Sequence, residues 1–231
     1  GVPIRIGVNS GSLEKQILAK YGAPTPQALV DSALYHARLL ERFDFNNIVI
    51  SIKSSNVPSM IAAYRLAAAQ MDYPLHLGVT EAGTRRMGII KSAVGIGSLL
   101  CDGIGDTIRV SLTDDPIEEV RAARDILKAV GKGTGVEIVS CPTCGRTQID
   151  LIALAERVEK ALADCNKPIK VAVMGCAVNG PGEAREADIG IAGGNGEALL
   201  FKKGVPYGKY PEEQILDVLL EEIGRMESEG V

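Results

Sequence analysis

The sequence predicts an α/β fold in which helices cover a parallel sheet and a smaller α+β region follows. Apolar strands alternate with amphipathic helices up to about residue 130, and uninterrupted apolar strands are typical of parallel sheets that are buried on both faces. Hydrophobic residues make up 46% of the chain and aromatic residues only 4%, which favours an α/β core over a sandwich. Beyond about residue 135, shorter strands and glycine-rich loops replace the alternation.

Four strand–helix units are expected in the first region. The strands are predicted at 4–8, 47–53, 75–80 and 107–112, and the helices at 26–43, 57–71, 88–101 and 116–130. Thr25 before Pro26 and Asp115 before Pro116 mark two helix starts, because a side-chain oxygen at the N-cap accepts from free backbone N–H groups and proline fits the first turn. Glu118 is expected to complete a capping box with Asp115.

The second region reads differently. Strands are predicted at 136–140, 169–174, 189–192 and 198–202, and helices at 149–164 and 211–229. The last two strands are expected to form a hairpin across the glycine-rich residues 193–196. We place the boundary in the glycine-rich stretch at 131–135, which gives an expected first domain at 1–131 and a second at 132–231.

Composition makes several classes of function improbable. The net charge is −4, and no run of Lys and Arg is present, so nucleic acid is not an expected partner. No apolar stretch reaches the length of about 18 residues that a membrane span needs, so no membrane association is expected. Without an export signal at its start, we expect the protein to be cytoplasmic.

The cysteines are the first candidates for chemistry. Cys141 and Cys144 form a CPTC pair just after a predicted strand, and Cys176 follows another strand. Two short loops that leave neighbouring strand ends are expected to converge, and thiolates select zinc, Cu(I) or iron–sulfur clusters. The pair alone is equally typical of a redox dithiol or of two packed thiols, and Cys176 shifts the balance towards a metal site.

A structural zinc site needs four tight ligands, and the remaining cysteines, Cys101 and Cys165, lie away from both loops. Three cysteines with an incomplete ligand shell favour an iron–sulfur cluster with one iron available for chemistry. Glu183, at the end of the loop that Cys176 opens, is placed to fill that position reversibly. A zinc-stabilised binding module without catalysis is the alternative from a different class.

Polar residues gather where the strands of the first region begin or end: Arg5, Asn9, Lys53, Thr80, Glu81, Arg109 and Ser111. Active sites of α/β barrels form at the carboxyl ends of the strands, and three cations suit a diphosphate. Taken singly, each of these residues is more typical of a solvated strand end, and their recurrence at all four strand ends shifts the balance towards a site. Arg109 has apolar neighbours, however, and a buried guanidinium needs a partner.

Six segments carry a resemblance to a known family: IRIGVNSGSL (4–13), NIVISIK (47–53), LGVTEAG (77–83), GIGDTIRVSLT (103–113), CPTCGR (141–146) and CAVNGPGE (176–183). Together they resemble the hydroxymethylbutenyl diphosphate synthases, the IspG/GcpE family of the non-mevalonate isoprenoid pathway. The resemblance covers essentially the whole chain. It implies an iron–sulfur oxidoreductase that reductively opens and dehydrates 2-C-methyl-D-erythritol 2,4-cyclodiphosphate to 4-hydroxy-3-methylbut-2-enyl diphosphate.

The resemblance also implies roles for individual residues. It implies a [4Fe–4S] cluster held by three cysteines and one glutamate, namely Cys141, Cys144, Cys176 and Glu183. It implies a diphosphate site made of Arg5, Asn9, Lys53, Arg109 and Ser111. Thr80 and Glu81 are implied beside the reacting carbons, with Asn179 reaching in from the cluster domain. Ferredoxin or flavodoxin is implied as the electron donor, and a head-to-tail homodimer as the assembly.

The family begins with a complete eight-stranded barrel, which takes about 250 residues, whereas about 130 residues precede the predicted cluster domain here. We therefore expect a partial parallel (β/α) barrel of the TIM type followed by a small α+β iron–sulfur domain. On this reading the chain is the C-terminal portion of the enzyme and lacks the first half of the barrel. We expect it to be inactive alone.

Overall fold

The computed structural model describes residues 1–176 and 184–228. Two of the predicted site residues, Asn179 and Glu183, lie outside these described residues. The chain divides into two compact units, Gly1–Gly133 and Thr134–Val231, and each has a sheet and a core of its own.

The first unit is built from strands and helices in alternation. Its elements are β1 Ile4–Asn9, α1 Lys15–Tyr21, α2 Pro26–Glu41, β2 Ile48–Lys53, α3 Val57–Gln70, β3 His76–Leu77, α4 Arg85–Cys101, β4 Thr107–Ile108 and α5 Pro116–Ala129. All four predicted strand–helix units are therefore confirmed. The regular part of β3 and β4 is only two residues long, shorter than predicted, and α1 was not predicted.

The four strands run parallel and follow one another in chain order. β1 pairs with β2 from Ile4 opposite Ile48 to Asn9 opposite Lys53. A parallel bridge between Ile50 and Leu75 leads from β2 towards β3, and β3 pairs with β4. The predicted parallel arrangement is thus confirmed as two parallel strand pairs joined by this one bridge, here called the arc, and residues 1–133 form no closed barrel.

Side chains alternate between the two faces of this arc. Ile6 and Val8 are buried in the core against the helices, whereas Arg5, Gly7 and Asn9 lie on the opposite face, because successive residues of a strand point to opposite sides. Close packing of α4 on this core depends on Gly95. A Cβ atom there would lie 2.8 Å from Val79 Cγ2 and 2.9 Å from Met60 Cε, closer than carbon atoms pack.

The helix starts follow the sequence signals with one exception. Thr25 Oγ1 accepts a hydrogen bond from the Ala28 amide, and Asp115 accepts one from the Ile117 amide. The predicted capping box at Glu118 is wrong. Its carboxylate pairs with Arg85 at 2.7 Å and with Arg121 at 2.6 Å, because a guanidinium makes stronger hydrogen bonds to a carboxylate than a backbone amide does.

The described residues of the second unit form one five-stranded sheet and two α-helices. Its elements are β5 Glu137–Ser140, α6 Leu151–Ala161, β6 Lys170–Met174, β7 Ile189–Gly193, β8 Glu197–Lys202, β9 Val205–Pro211 and α7 Ile215–Ser228. The strand order is β5-β6-β7-β8-β9. The first three strands are parallel, and β7, β8 and β9 are antiparallel. The predicted hairpin between β7 and β8 is confirmed, whereas β9 was not predicted.

Each face of this sheet has its own apolar cluster. On one face, side chains of α6 and α7 pack against Val171, Ile189 and other strand residues. On the other face a smaller cluster contains Met174 and Phe201, and Cys141 packs against its edge. None of the helices within the described ranges is long and apolar enough to cross a membrane.

Candidate functional site

Three cations surround one histidine in the first unit. Arg5 lies on β1, Lys53 ends β2, and Arg109 follows β4. The Nη1 atom of Arg5 lies 3.3 Å from Nε2 of the buried His76 on β3. Burial lowers the pKa of His76, and the positive charges of Arg5, Arg109 and Lys53 lower that pKa further. All three cations therefore act on the same small region of the sheet.

These cations carry charge that the described part of the chain does not neutralise. Within residues 1–176 and 184–228, Arg5, Lys53 and Arg109 form no ion pair with a carboxylate. The Nε atom of Arg109 is buried and has no hydrogen-bond partner there. A buried guanidinium N–H without an acceptor is costly, by about 1–3 kcal/mol or more. The cluster is therefore chemically suited to an anion.

Two glycines lie beside the cationic residues. A Cβ atom on Gly7 would lie 3.7 Å from Lys53 Nζ, an ordinary contact distance, so the ammonium group lies close to the Gly7 backbone. A Cβ atom on Gly78 would lie only 2.9 Å from the carbonyl oxygen of Arg109. Gly78 is therefore required for β4 to approach β3 at the point where Arg109 enters the cluster.

His76 is held by partners on both its ring and its backbone. Its Nδ1 atom lies 2.7 Å from Thr107 Oγ1, and its carbonyl oxygen accepts a hydrogen bond from the Tyr64 hydroxyl at 2.5 Å. The same hydroxyl accepts from the Ile52 amide at 2.9 Å. Burial raises the pKa of Tyr64 to about 12, so the hydroxyl keeps its proton and links β2 to β3 behind the cations.

Sequence reasoning missed His76. A signal was available in the LHLGVT segment, because His76 and Thr80 are four positions apart and therefore face the same side of the predicted strand. Thr107, Arg109 and Ser111 share the corresponding side of the strand predicted at 107–112 for the same reason. A histidine on the face that carries the predicted ligands was the clue.

The other predicted site residues of this unit lie at the strand ends without joining the cluster through a side-chain bond. Asn9 accepts from the Gly11 amide at 3.1 Å, and the Thr80 amide donates to the Ser54 carbonyl. Glu81 is exposed and has a left-handed backbone with a φ of 51°, a conformation that costs a non-glycine residue free energy. The Ser111 hydroxyl makes no hydrogen bond within the described ranges.

The two cysteine loops of the second unit meet at Gly175. The Gly175 amide donates to Cys141 Sγ at 3.1 Å, and its carbonyl oxygen accepts from the Gln148 amide at 2.9 Å. Cys141 directly follows β5, and its amide continues the strand pairing by donating to the Val173 carbonyl. Cys176, the next residue after Gly175, is buried. The loop after β5 and the loop after β6 are therefore joined by direct hydrogen bonds.

Cys144 lies in a turn that the same loop closes. Its amide donates to Thr147 Oγ1 at 3.2 Å, and its carbonyl oxygen accepts from the Thr147 amide. Hydrogen bonds from the backbone and then the side chain of Arg146 lower the pKa of the exposed Cys144 thiol. A lowered thiol pKa favours the thiolate, which is the form that binds metal.

The donor set suits an iron–sulfur group in its chemistry: three thiols, a backbone N–H directed at sulfur, and apolar packing beside Cys141. The described residues do not by themselves complete a metal site. Within them, no group of three or more His, Cys, Asp or Glu side chains is arranged to hold a metal ion. Cys101 ends α4 in the first unit, and Cys165 follows α6 and packs on the helix-covered face of the sheet.

Both units match models of one protein family. The first 124 residues match the GcpE TIM-barrel domain, and residues 137–225 match the GcpE protein C-terminal domain. The first match alone covers more than half of the chain. The boundary between the matched segments falls where the structure divides into its two units.

Several curated relatives are similar over nearly all of the chain. A protein of Clostridium perfringens is 64% identical over 95% of the chain and 63% of its own length. Proteins of Caldanaerobacter subterraneus and Fusobacterium nucleatum are 63% and 61% identical over 99% and 100% of the chain, and over 65% and 64% of their own lengths. Each is named 4-hydroxy-3-methylbut-2-en-1-yl diphosphate synthase (flavodoxin).

The chain therefore spans less than two thirds of the length of these relatives. Both family models match it in the order and at the positions of the two structural units, and the chain belongs to the GcpE family.

Proposed function

We propose that the first unit binds the diphosphate group of a small substrate through Arg5, Lys53 and Arg109. The observation that carries this proposal is the buried Nε of Arg109, which has no acceptor in the described ranges. A phosphate oxygen is the acceptor that best matches a guanidinium, because the two groups bond in a planar, charge-assisted geometry. Lys53 and Arg5 then add two further charges on the same face of the arc.

The reaction we assign to this site is the reductive ring opening and dehydration of 2-C-methyl-D-erythritol 2,4-cyclodiphosphate to 4-hydroxy-3-methylbut-2-enyl diphosphate. The relatives are named as synthases of that product, which supports this assignment. Two electrons and two protons enter, a carbon–oxygen bond to phosphate breaks, and one water leaves. Cations beside the departing phosphate stabilise its growing negative charge. Asn9 and Ser111 are proposed to add neutral hydrogen bonds to the same diphosphate.

Residues at the next strand end are proposed to act on the carbon skeleton. Thr80 and Glu81 follow β3, and the exposed carboxylate of Glu81 is a candidate to hold a proton beside the reacting carbons. The left-handed backbone of Glu81 supports this role, because strained conformations cluster at functional sites. Asn179 is proposed to contribute from the second unit.

Cys141, Cys144, Cys176 and Glu183 are the residues that would hold a [4Fe–4S] cluster. When bound, such a cluster supplies the electrons that side chains cannot. The Gly175 amide donates to Cys141 Sγ and so joins the two cysteine loops. Hydrogen bonds from Arg146 lower the pKa of the Cys144 thiol and favour its thiolate.

Membership of the family is also the basis for the electron donor and the assembly that we propose. Flavodoxin is part of the relatives' name, and ferredoxin is the alternative donor. A head-to-tail homodimer, in which the second unit of one subunit closes the barrel of the other, would bring cluster and substrate together. Five linker residues at 131–135 span less than about 18 Å, which favours closure between subunits. We place this activity in the cytoplasm.

A calorimetric titration with four compounds tests the substrate class. We expect the cyclic diphosphate and inorganic pyrophosphate to bind, inorganic phosphate to bind more weakly, and uncharged methylerythritol not to bind measurably. This order follows because the cations contribute most of the binding free energy. Equal affinity for methylerythritol and the cyclic diphosphate would contradict the proposed diphosphate site.

A further inference from the structure

We propose that His76 is a positioning residue that orients the Arg5 guanidinium towards the bound anion. The inference rests on the proposed function, because it assigns His76 a task within the same site. It begins from two ring contacts, Nε2 with Arg5 Nη1 at 3.3 Å and Nδ1 with Thr107 Oγ1 at 2.7 Å.

The first contact determines which ring nitrogen carries the proton. A guanidinium has only donors, so the Nε2 atom that faces Arg5 must be an unprotonated acceptor. The proton of a neutral ring then lies on Nδ1 and is donated to Thr107 Oγ1. The hydrogen bond to Thr107 on β4 determines the tautomer of the ring. In that tautomer Nε2 accepts a hydrogen bond from Arg5 on β1 and orients its guanidinium group.

The surroundings keep the ring in this neutral form. His76 is 9% exposed, and within the described residues the charged groups that act on it are cations: Arg5 from β1, Lys53 from β2 and Arg109 after β4. From α3, Tyr64 contributes a neutral hydroxyl bound to the His76 carbonyl oxygen. A protonated ring would turn an N–H group towards the Arg5 N–H groups and add a fourth positive charge.

Arg5 needs such a partner because it is otherwise exposed and unpaired in the described residues. A free arginine side chain loses much rotamer entropy when it binds an anion. Nε2 of His76 holds one Nη group beforehand and leaves the remaining N–H donors for phosphate oxygens. His76 therefore reduces the entropic cost of anion binding without touching the anion.

A matched pair of variants separates this role from simple support of the fold. In His76→Gln the side-chain amide reaches the position of Nε2 and offers Arg5 an acceptor. In His76→Asn the shorter amide reaches only the position of Nδ1, so the Thr107 contact is kept and the Arg5 contact is lost. Pyrophosphate binding to the full 231-residue chain is measured by calorimetry for both variants, alone and combined with Arg5→Ala.

We expect His76→Asn to weaken pyrophosphate binding by about tenfold, the size of one hydrogen bond to a charged group, and His76→Gln to stay close to the unsubstituted chain. In the Arg5→Ala background, His76→Asn should change the affinity by less than about twofold, because coupled residues are not additive. An equal loss with and without Arg5 would overturn the positioning role.

The same titrations distinguish failure of the His76 role from failure of the whole anion site. If Arg109→Ala weakens binding while His76 and Arg5 show no coupling, the anion site stands and the role of His76 fails. If the unsubstituted chain does not bind pyrophosphate, both fail. Nitrogen-15 NMR of the ring gives an independent test in the free chain, with His36→Gln to assign the signals. A His76 ring protonated on Nε2 would overturn the inference whatever the affinities show.

Discussion

The Gly175 amide donates a hydrogen bond to Cys141 Sγ across a separation of 3.1 Å. This bond joins the residue before Cys176 to the first cysteine of the CPTC pair, so one backbone amide links the two loops that carry the predicted ligands. Any group that binds these cysteines therefore depends on both loops being in place.

Substitution of single cysteines tests the proposed cluster ligands. Replacing Cys141, Cys144 or Cys176 by alanine should abolish iron and sulfide binding after anaerobic reconstitution, because each is proposed to supply one thiolate ligand. Replacing Cys101 or Cys165 should leave the iron and sulfide content unchanged. Metal analysis of the five variants makes the comparison.

The same analysis distinguishes the zinc alternative. A zinc-stabilised module would bind one zinc ion per chain, contain no sulfide, and be colourless. Full iron occupancy in the Cys176→Ala chain would count against Cys176 as a ligand. The Glu183→Ala chain should still assemble the cluster but lose it faster, if that carboxylate is a replaceable ligand.

Tyr64→Phe should destabilise the first unit by about 1–3 kcal/mol, the cost of leaving a buried amide without its acceptor. The lost hydroxyl accepts from the Ile52 amide and donates to the His76 carbonyl. Urea unfolding measures the change. Tyr73→Phe is the matched control, because its hydroxyl bonds the Glu41 carboxylate at the surface. Equal destabilisation by the two substitutions would show that the buried Tyr64 hydroxyl adds no more to the free energy of unfolding than the surface hydroxyl of Tyr73 does.

Native stability should fall as the pH drops below the ordinary histidine value of 6.5, because the pKa of His76 is lowered by burial and by Arg5, Arg109 and Lys53. His76 regains its ordinary pKa in the unfolded chain. Between the lowered native pKa and 6.5, the unfolded chain therefore binds more protons than the native chain. The contribution of His76 is therefore full above about pH 6.5 and is lost as the pH falls through the folded-state pKa. Urea unfolding at a series of pH values above and below 6.5 measures this loss.

His76→Gln should remove this pH dependence, since glutamine does not titrate. Glu14, whose pKa is lowered from 4.5 and which bonds Ser32 and His36, contributes only at lower pH. An unchanged slope in the His76→Gln chain would assign the effect to another group.

Two glycines in helices should respond to alanine in opposite ways. In α4, Gly95→Ala forces a Cβ atom to within 2.9 Å of Met60 and Val79, and overpacking a core costs about 1–3 kcal/mol. In α7, Gly224→Ala meets no atom within 4 Å and should stabilise by about 0.5–1 kcal/mol through a less flexible unfolded chain. Thermal unfolding of the two variants should therefore shift in opposite directions.

Much of the first unit followed from the sequence, because long apolar strands and capped helices leave local signals. The helix α1 was missed because it has only seven residues, too few for a clear helical period. The strand β9 was missed because Pro206 and Pro211 argue against a strand interior, and β9 is an edge strand where proline is tolerated.

In the candidate site, too, local sequence patterns predicted some features and not others. Charges at strand ends can be read from the chain, so Arg5, Lys53 and Arg109 were predicted as a group. Strand alternation places His76 on the face of the predicted ligands, but its contact with Arg5 could not be predicted, because that contact joins residues 71 positions apart. That contact depends on the register of the strands, which no local pattern specifies.

The most direct test of the central claim compares Arg109→Ala with Arg124→Ala in a pyrophosphate titration. Both substitutions remove one positive charge. Arg109 has a buried Nε without a partner in the described ranges, whereas Arg124 is exposed on α5. If Arg109 binds the diphosphate, its loss should weaken affinity by about tenfold to a hundredfold, as expected for a charge-assisted contact, while Arg124→Ala changes it little. Equal affinities in the two variants would contradict the anion site.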